Sequence, residues 1–223
     1  MTQKLHEGVK KLGLDISQEQ MDALETYIQL VLECNKTYNL IRAATAEEVA
    51  VNHVLDSLAA ATEIKKLAQK IKSNKDEPLL IADIGSGGGC PGIPLAVFMP
   101  EEKFVLVERM ERRCRFLEDA VTQMKLKNVR VDCTQADAVK SHSIDIEVFR
   151  AFHPFDKKIA GLLLDKLKKG GFIACYKARS EKIQAEMETV KAQIPSYEKI
   201  PLTVPFLEDH ERNLVVIELK DES

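Results

Sequence analysis

The stretch "LLIADIGSGGGCPGIPLAVF", residues 79–98, constrains the fold of this chain more than any other. A short apolar run ends on an acid, opens into a glycine cluster, and resumes as an apolar run with two prolines. That order predicts a buried strand, a tight loop and a helix packed back on the strand. Glycines there admit positive φ and keep Cβ atoms clear of whatever approaches the backbone. Pro91 and Pro94 suit the first turn of a helix, where a missing N–H costs nothing. In an open parallel sheet, the loop beyond the carboxyl end of the first strand is where ligands bind.

The rest of the chain repeats this rhythm. "KFVLVE", "NVRVDC", "IDIEVF" and "GGFIACYK" read as strands, with helical patterns at 92–98, 110–126 and 154–169. Alternating strands and helices predict an α/β fold, a mostly parallel sheet with helices on both faces. "SYEKIPLTVPF" and "RNLVVIELK" have too little chain between them for a helical crossover, so they predict an antiparallel pair at the sheet edge and bring the sheet to seven strands. Before residue 77 the pattern is helical. Ser17 is an N-cap candidate ahead of Met21, Leu24, Ile28, Val31 and Leu32 at helical spacing, and Thr45 with Glu48 forms a capping-box pattern opening a second helical run. "SNKDEP", residues 73–78, is polar and ends in proline. It separates an N-terminal helical extension, 1–76, expected to pack on the ligand pocket, from a core domain, 77–223.

Composition narrows the function class. No apolar run approaches a membrane span, and the first residues lack the apolar core of a signal peptide, so a cytoplasmic protein is expected. The five cysteines, Cys34, Cys90, Cys114, Cys133 and Cys175, are odd in number, scattered and never spaced C-x-x-C. They read as reduced thiols in the core, without a disulfide framework or a metal site. A net charge of −3 carries no global nucleic-acid signal, so RNA binding would need a local basic patch.

Three ligands compete for the glycine loop. A triphosphate needs G-x-x-x-x-G-K-[ST], and no lysine follows here. A dinucleotide needs G-x-G-x-x-G directly after the strand; counted from Gly85 the sixth residue is Cys90, and counted from Gly87 the match starts late and contains Pro91. The third pattern is D-x-G-x-G-x-G, formed by Asp83, Gly85, Gly87 and Gly89, which resembles motif I of the class I S-adenosylmethionine-dependent methyltransferases. An acid at 83 would repel a pyrophosphate but favour a cofactor carrying an ammonium and a sulfonium. The cofactor's own carboxylate would meet free N–H groups of the loop or helix start. Glu108, ending the second strand, can accept both ribose hydroxyls. Asp137, after the third strand, lies where that superfamily contacts adenine, though a solvated loop acid is an equal account of it.

The segments "YNLIRAATAEEVAVNHVLDSL", "DIGSGGGCPGIPLA", "LVERMERRCRFL", "FRAFHPF" and "YKA" come in the order and spacing of the bacterial glucose-inhibited division protein B family. The chain resembles that family from about residue 20 onward, and H-x-x-D-S-L combined with G-x-P-G-I-P is specific to it. The resemblance implies a class I Rossmann-like methyltransferase with an N-terminal helical extension. The implied activity is methyl transfer from S-adenosyl-L-methionine to N7 of a guanosine in 16S ribosomal RNA, as naked RNA or as the small ribosomal subunit. Cofactor contacts carry over to Gly85, Cys90, Ala136, Asp137 and Arg150. Phe149, Ala178 and Ile41 depart from the family's usual serine, glycine and threonine.

Guanine N7 has an exposed lone pair and loses no proton on methylation, so no general base is needed and the enzyme mainly aligns its reactants. Arg150 and Lys177 are candidates to hold the guanine or its phosphate, with a solvated rim charge or a salt bridge as the plainer account. In A-form RNA the major groove is too deep and narrow to reach N7, so a loop guanosine is the expected target. Tyr38, Asn39 and His53, with Arg109, Arg112, Arg113 and Arg115, are candidate RNA contacts, as are Lys65, Lys66, Lys70, Lys72 and Lys75; a solvated helix face accounts equally for any one of these charges. His53, Asp56 and Ser57 are too close in sequence for a hydrolase triad and read as packing of the helices over the pocket. A monomer is expected, since no heptad or surplus apolar stripe is present. A non-catalytic cofactor-binding module for ribosome assembly is the alternative, and a dinucleotide oxidoreductase a distant third.

Overall fold

The computed structural model describes residues 2–72, 77–150 and 155–220. The chain opens with α1 (Gln3–Lys11) and α2 (Gln18–Thr37). Ser17 caps α2 as its sequence predicts: its hydroxyl accepts from Gln20 N at 3.2 Å, and the Gln20 side chain accepts from Ser17 N at 2.8 Å. Thr45 caps the next run by accepting from Glu48 N at 3.2 Å, while the Glu48 carboxylate reaches Ala44 N at 2.6 Å. That run is not the single helix its periodicity predicts. It is α3 (Ala46–Val49), a π-helical turn (Ala50–Leu55), α4 (Asp56–Leu58) and α5 (Ala61–Lys72).

The remainder is β1 (Leu80–Ile84), α6 (Gly92–Phe98), β2 (Lys103–Glu108), α7 (Glu111–Gln123), β3 (Val129–Cys133), a 3₁₀ turn (Ala136–Ala138), β4 (Ile144–Arg150), α8 (Lys157–Lys166), β5 (Leu167–Lys177), α9 (Ser180–Val190), β6 (Glu198–Leu202) and β7 (Arg212–Glu218). Among the described residues, seven strands join one sheet in the order β3-β2-β1-β4-β5-β7-β6. β1 to β5 pair in parallel, and β7 runs antiparallel to both β5 and β6. The expected antiparallel pair therefore closes that edge, with β7 one position in. β5 begins three residues before "GGFIACYK", directly after α8. Helix α9 lies outside the helical patterns expected above, although Ile183, Met187 and Val190 repeat at helical spacing and are buried. Of the expected 154–169 pattern, Pro154 lies outside the described residues, as do most of the linker and Lys75.

Each face of the sheet carries its own core. Ile81, Phe104, Leu106, Ile146 and Val148 pack with Leu24, Ile28, Val54 and Leu58 of the N-terminal helices. Ala82, Val105, Phe149 and Ile173 pack with α8 and α9 on the other face. This is the two-residue alternation of a sheet buried on both sides. Tyr27 of α2, fully buried, ties the helices to the glycine loop by donating to Gly88 O at 2.7 Å.

One reading of the cysteines is overturned. Cys114 and Cys133 are joined by a disulfide, with Cα atoms 5.6 Å apart. Parallel pairing sets Cys133 opposite Glu108, and α7 returns over β3 with Cys114 on its buried side. Nineteen residues of separation conceal that proximity in the sequence. Cys34, Cys90 and Cys175 are free thiols.

Candidate active site

The strand order turns back between β1 and β4, whose chain neighbours lie on opposite sides, and ligands bind outside the carboxyl ends at such a point. At this end the sheet presents Gly85 after β1, Glu108 ending β2, Thr134 after β3, Arg150 ending β4, Lys177 ending β5 and, because β7 is reversed, Arg212 opening β7. A cavity of about 550 Å³ opens there. Gly85, Glu108, Arg109, Arg113, Ala136 and Asp137 line it, and Ile159 and Leu162 of α8 supply an apolar wall.

The glycine loop turns sharply, with φ of +73°, +57° and +96° at Gly85, Gly87 and Gly89, values that side chains with a Cβ rarely adopt. Its N–H groups are largely spent within the protein. Gly85 and Ser86 donate to Val107 O, Gly87 to Glu108 Oε2 at 2.9 Å, Gly89 to Ser86 O, and Gly92 to Asp83 Oδ2 at 2.8 Å. Ile93 donates to Gly89 O, and Pro94 has no N–H. Of the expected free N–H groups of the loop or helix start, the helix start offers none, since α6 begins with its donors occupied. Pro91 sits at the N-cap, not within the first turn, and follows a cis peptide bond from Cys90.

Asp83 does not reach the cavity. It is 1% exposed, and Oδ2 accepts from both Ser86 Oγ and Gly92 N at 2.8 Å, while Oδ1 is buried without a partner among the described residues. Burial raises its carboxyl to about 6. The acid thus organises the loop from beneath. Gly92 makes this possible, because a Cβ there would stand 2.7 Å from Asp83 Oδ2. Glu108 is buried yet lines the cavity. Its Oε2 accepts from Gly87 N and its Oε1 from Met110 N, each at 2.9 Å. Each oxygen keeps a lone pair for a further donor.

Arg150 lies outside that cavity, held by the π-helical turn. Its Nη1 donates to Asn52 O at 3.0 Å and Asp56 Oδ2 at 2.6 Å, and its Nη2 lies 2.9 Å from His53 Nδ1. His53 is therefore the acceptor in that pair and stays neutral: burial and the Arg150 charge lower it to about 4. Asp56 also accepts from Arg212 Nε at 2.8 Å. Lys177 is paired with Glu186 of α9 at 2.5 Å, the salt bridge of the plainer account.

Among the other candidates, Arg112 stacks on the Tyr38 ring, 3.8 Å from its centre, and Tyr38 donates to Arg112 O at 3.2 Å. Burial and contact with Cys34 push the Tyr38 phenol up to about 12. Arg109 and Asn39 are exposed, and Arg113 faces Glu108 at 3.7 Å. Arg115 pairs with Glu111. The α5 lysines do not join this group. Lys70 pairs with Glu218, which ends the reversed β7, and Lys72 with Glu102, which precedes β2. Both positions lie at the opposite end of the sheet, which removes that cluster from the site's surroundings. Lys66 pairs with Glu63, and Lys65 lies over the Phe98 ring. Phe149 is buried and stacks on Phe155 with centres 6.2 Å apart, Ile41 packs on Gly88, and Ala178 offers its carbonyl to Asn213 at 2.6 Å. Asn52, Arg212 and Glu186 escaped the sequence reading, since their significance arises from pairing between distant segments.

A family model described as rRNA small subunit methyltransferase G, GidB, matches residues 20–215. The chain is 35% identical over 237 residues to ribosomal RNA small subunit methyltransferase G of Treponema denticola, covering 96% of this chain and 93% of that one. It is 33% identical over 215 residues to the protein of the same name from Neisseria meningitidis serogroup B, covering 96% and 97%. Two similar solved structures are a human methyltransferase 10 domain containing protein (13% identity, TM-score 0.55, covering 73% of this chain and 82% of that one) and the tRNA (m1A58) methyltransferase TrmI of Aquifex aeolicus (16%, 0.52, covering 75% and 69%). That likeness is one of fold, the class I Rossmann-like methyltransferase fold.

Proposed function

Because the chain belongs to the rRNA small subunit methyltransferase G family, we propose that it methylates N7 of a guanosine in a loop of 16S ribosomal RNA, with S-adenosyl-L-methionine as donor. The observation that carries the reading at the site is the cavity beside Glu108, at the carboxyl edge of the sheet. The residues fit an adenosine. Two free carboxylate lone pairs match two ribose hydroxyls, Ala136 and Asp137 stand where the base edge would lie, and Ile159 with Leu162 offers a surface for the ring. Gly87, Gly89 and Cys90 shape the loop toward the methionine end, and Arg150 serves that end or an RNA phosphate. Asp83 acts indirectly, by fixing the loop.

Bound there, the cofactor supplies an electrophilic methyl group. The protein's part is then to hold the acceptor nitrogen in line and exclude water. No side chain has to move a proton, because N7 attacks with its own lone pair. We assign residues 1–76 to a cover over the site and 77–223 to the catalytic core. Tyr38 with its stacked Arg112, together with Asn39, His53, Arg109 and Arg113, forms the surface offered to single-stranded RNA, where arginine and aromatic planes can take an unstacked base. Lys177, neutralised by Glu186, has a lesser part in that surface.

The test uses labelled S-adenosylmethionine with small ribosomal subunits from cells lacking this gene, followed by digestion to nucleosides. Label in 7-methylguanosine is expected. Label in another nucleoside would refute the N7 chemistry, and cofactor binding without transfer to subunits or naked RNA would point to the non-catalytic module.

A further inference from the structure

Arg150 meets three acceptors from a single turn: the Asn52 carbonyl, the His53 ring and the Asp56 carboxylate. A regular α-helix would not offer them together, because the Asn52 carbonyl would accept the N–H of Asp56. Here the Asp56 N–H reaches back to Val51 O, as a π turn requires, and the Asn52 carbonyl is left for the guanidinium. Single π turns are rare and recur at functional sites. The turn is braced from below: Ser57 Oγ donates to His53 O at 2.6 Å, and Tyr176, the register partner of Arg150, donates to Ser57 O at 2.7 Å.

Asp56 is 4% exposed and shared, with Oδ2 taking Arg150 and Oδ1 taking Arg212. Two arginines share this one carboxylate, and His53 beside them is neutral. Both arginine side chains remain part-exposed, at 21% and 29%. Among the described residues, Arg150 keeps its Nε–H and one Nη2–H unclaimed, two donors of a planar fork.

We infer that Asp56 is a positioning residue: with the π turn and Arg212, it aims the free donors of Arg150 at an oxyanion held over the carboxyl edge of the sheet. The inference deepens the methyltransferase reading and rests on it. The ligand chemistry is a carboxylate or phosphate oxygen pair, supplied either by the amino-acid tail of the cofactor or by the RNA backbone. Three segments far apart in sequence meet at this one carboxylate, so it couples the helical cover to the core as well.

Calorimetric titration separates these possibilities. S-adenosylhomocysteine carries the amino-acid tail; 5′-methylthioadenosine keeps the nucleoside and lacks it. Asp56→Asn is expected to weaken S-adenosylhomocysteine about tenfold, the scale of a misdirected charge-assisted hydrogen bond, and to leave methylthioadenosine unchanged. In an Arg150→Ala background the same substitution should cost nothing further. Unchanged affinity for both nucleosides, with the RNA KM raised about tenfold at constant kcat, would support the inference with phosphate as the oxyanion. Equal losses for the two nucleosides, or an undiminished loss in the Arg150→Ala background, would show a structural role only and overturn it. Should Asp56→Asn fail to fold, Arg212→Gln carries the same comparison. A parent chain that binds neither nucleoside would overturn the methyltransferase reading, and the inference with it.

Discussion

Glu147 stands in the middle of β4, between Ala82 and Ile173, 0% exposed, with neither carboxyl oxygen hydrogen-bonded among the described residues. Lys166, whose positive charge acts on this carboxyl, spends its ammonium on Asp137 O at 3.0 Å and Asp165 at 2.9 Å. Burial therefore pushes the Glu147 carboxyl well above its ordinary 4.5, only partly offset by Lys166. The folded chain holds this proton where the unfolded chain releases it, so stability is greatest below the unfolded value and falls as pH rises. That proton-linked cost grows by about 1.4 kcal/mol for each pH unit above 4.5 until the pH passes the raised value. The unpaired oxygens add roughly 1–3 kcal/mol at any pH. Glu147→Met removes both costs while keeping an unbranched chain of similar length. Urea unfolding at pH 7 should show a gain larger than the roughly 1–3 kcal/mol of the unpaired oxygens, and thermal melting a rise of roughly 2–4 °C for each kcal/mol in a chain of this size. Glu147→Gln should recover only the pH-linked part, so its advantage should vanish near pH 4.5. A methionine variant no more stable than the parent at pH 7, or an advantage flat from pH 5 to 8, would refute the reasoning.

Three further outcomes follow from the same geometry. Reducing the Cys114–Cys133 disulfide, or replacing both with serine, opens a loop closed over 19 residues and should lower stability by about 3 kcal/mol, read by urea unfolding with and without a dithiol. Gly92→Ala places a Cβ 2.5 Å from Leu106 Cδ2 and 2.7 Å from Asp83 Oδ2; it should cost about 1–3 kcal/mol and weaken S-adenosylhomocysteine, and unchanged melting and binding would contradict the account of the loop. Asp83→Asn should flatten the pH dependence of unfolding between about 4 and 6. The parent carboxyl is raised from 3.8 to about 6, so the parent loses stability as pH rises through that window; an identical slope in the variant would place the titration elsewhere.

Much of this protein is local in origin and legible from the chain. The Ser17 capping box needs residues three apart, and the strand–glycine–helix unit needs only adjacent patterns. Even α9 is written locally, in the helical spacing of Ile183, Met187 and Val190. Glu108 could be placed at the site because it ends a strand that any parallel sheet brings to the same edge as the glycines. The role of Asp83 was less accessible. An acid two residues before a glycine loop reads as a ligand contact, and only the packed position of Gly92 turns it inward to the backbone.

The sequence by itself determined the class of fold, the loop that shapes the site and the family, because these rest on periodicity, on glycine's freedom at positive φ and on motif order. The tertiary structure alone decided that Cys114 meets Cys133, that Lys177 is neutralised by Glu186, and that Asp56 stands between Arg150 and Arg212. Those partners lie 19, 9, 94 and 156 residues apart. Hydrogen bonds and ion pairs act over about 3 Å, and no local pattern reports which distant side chains the sheet register and helix packing will bring within that reach.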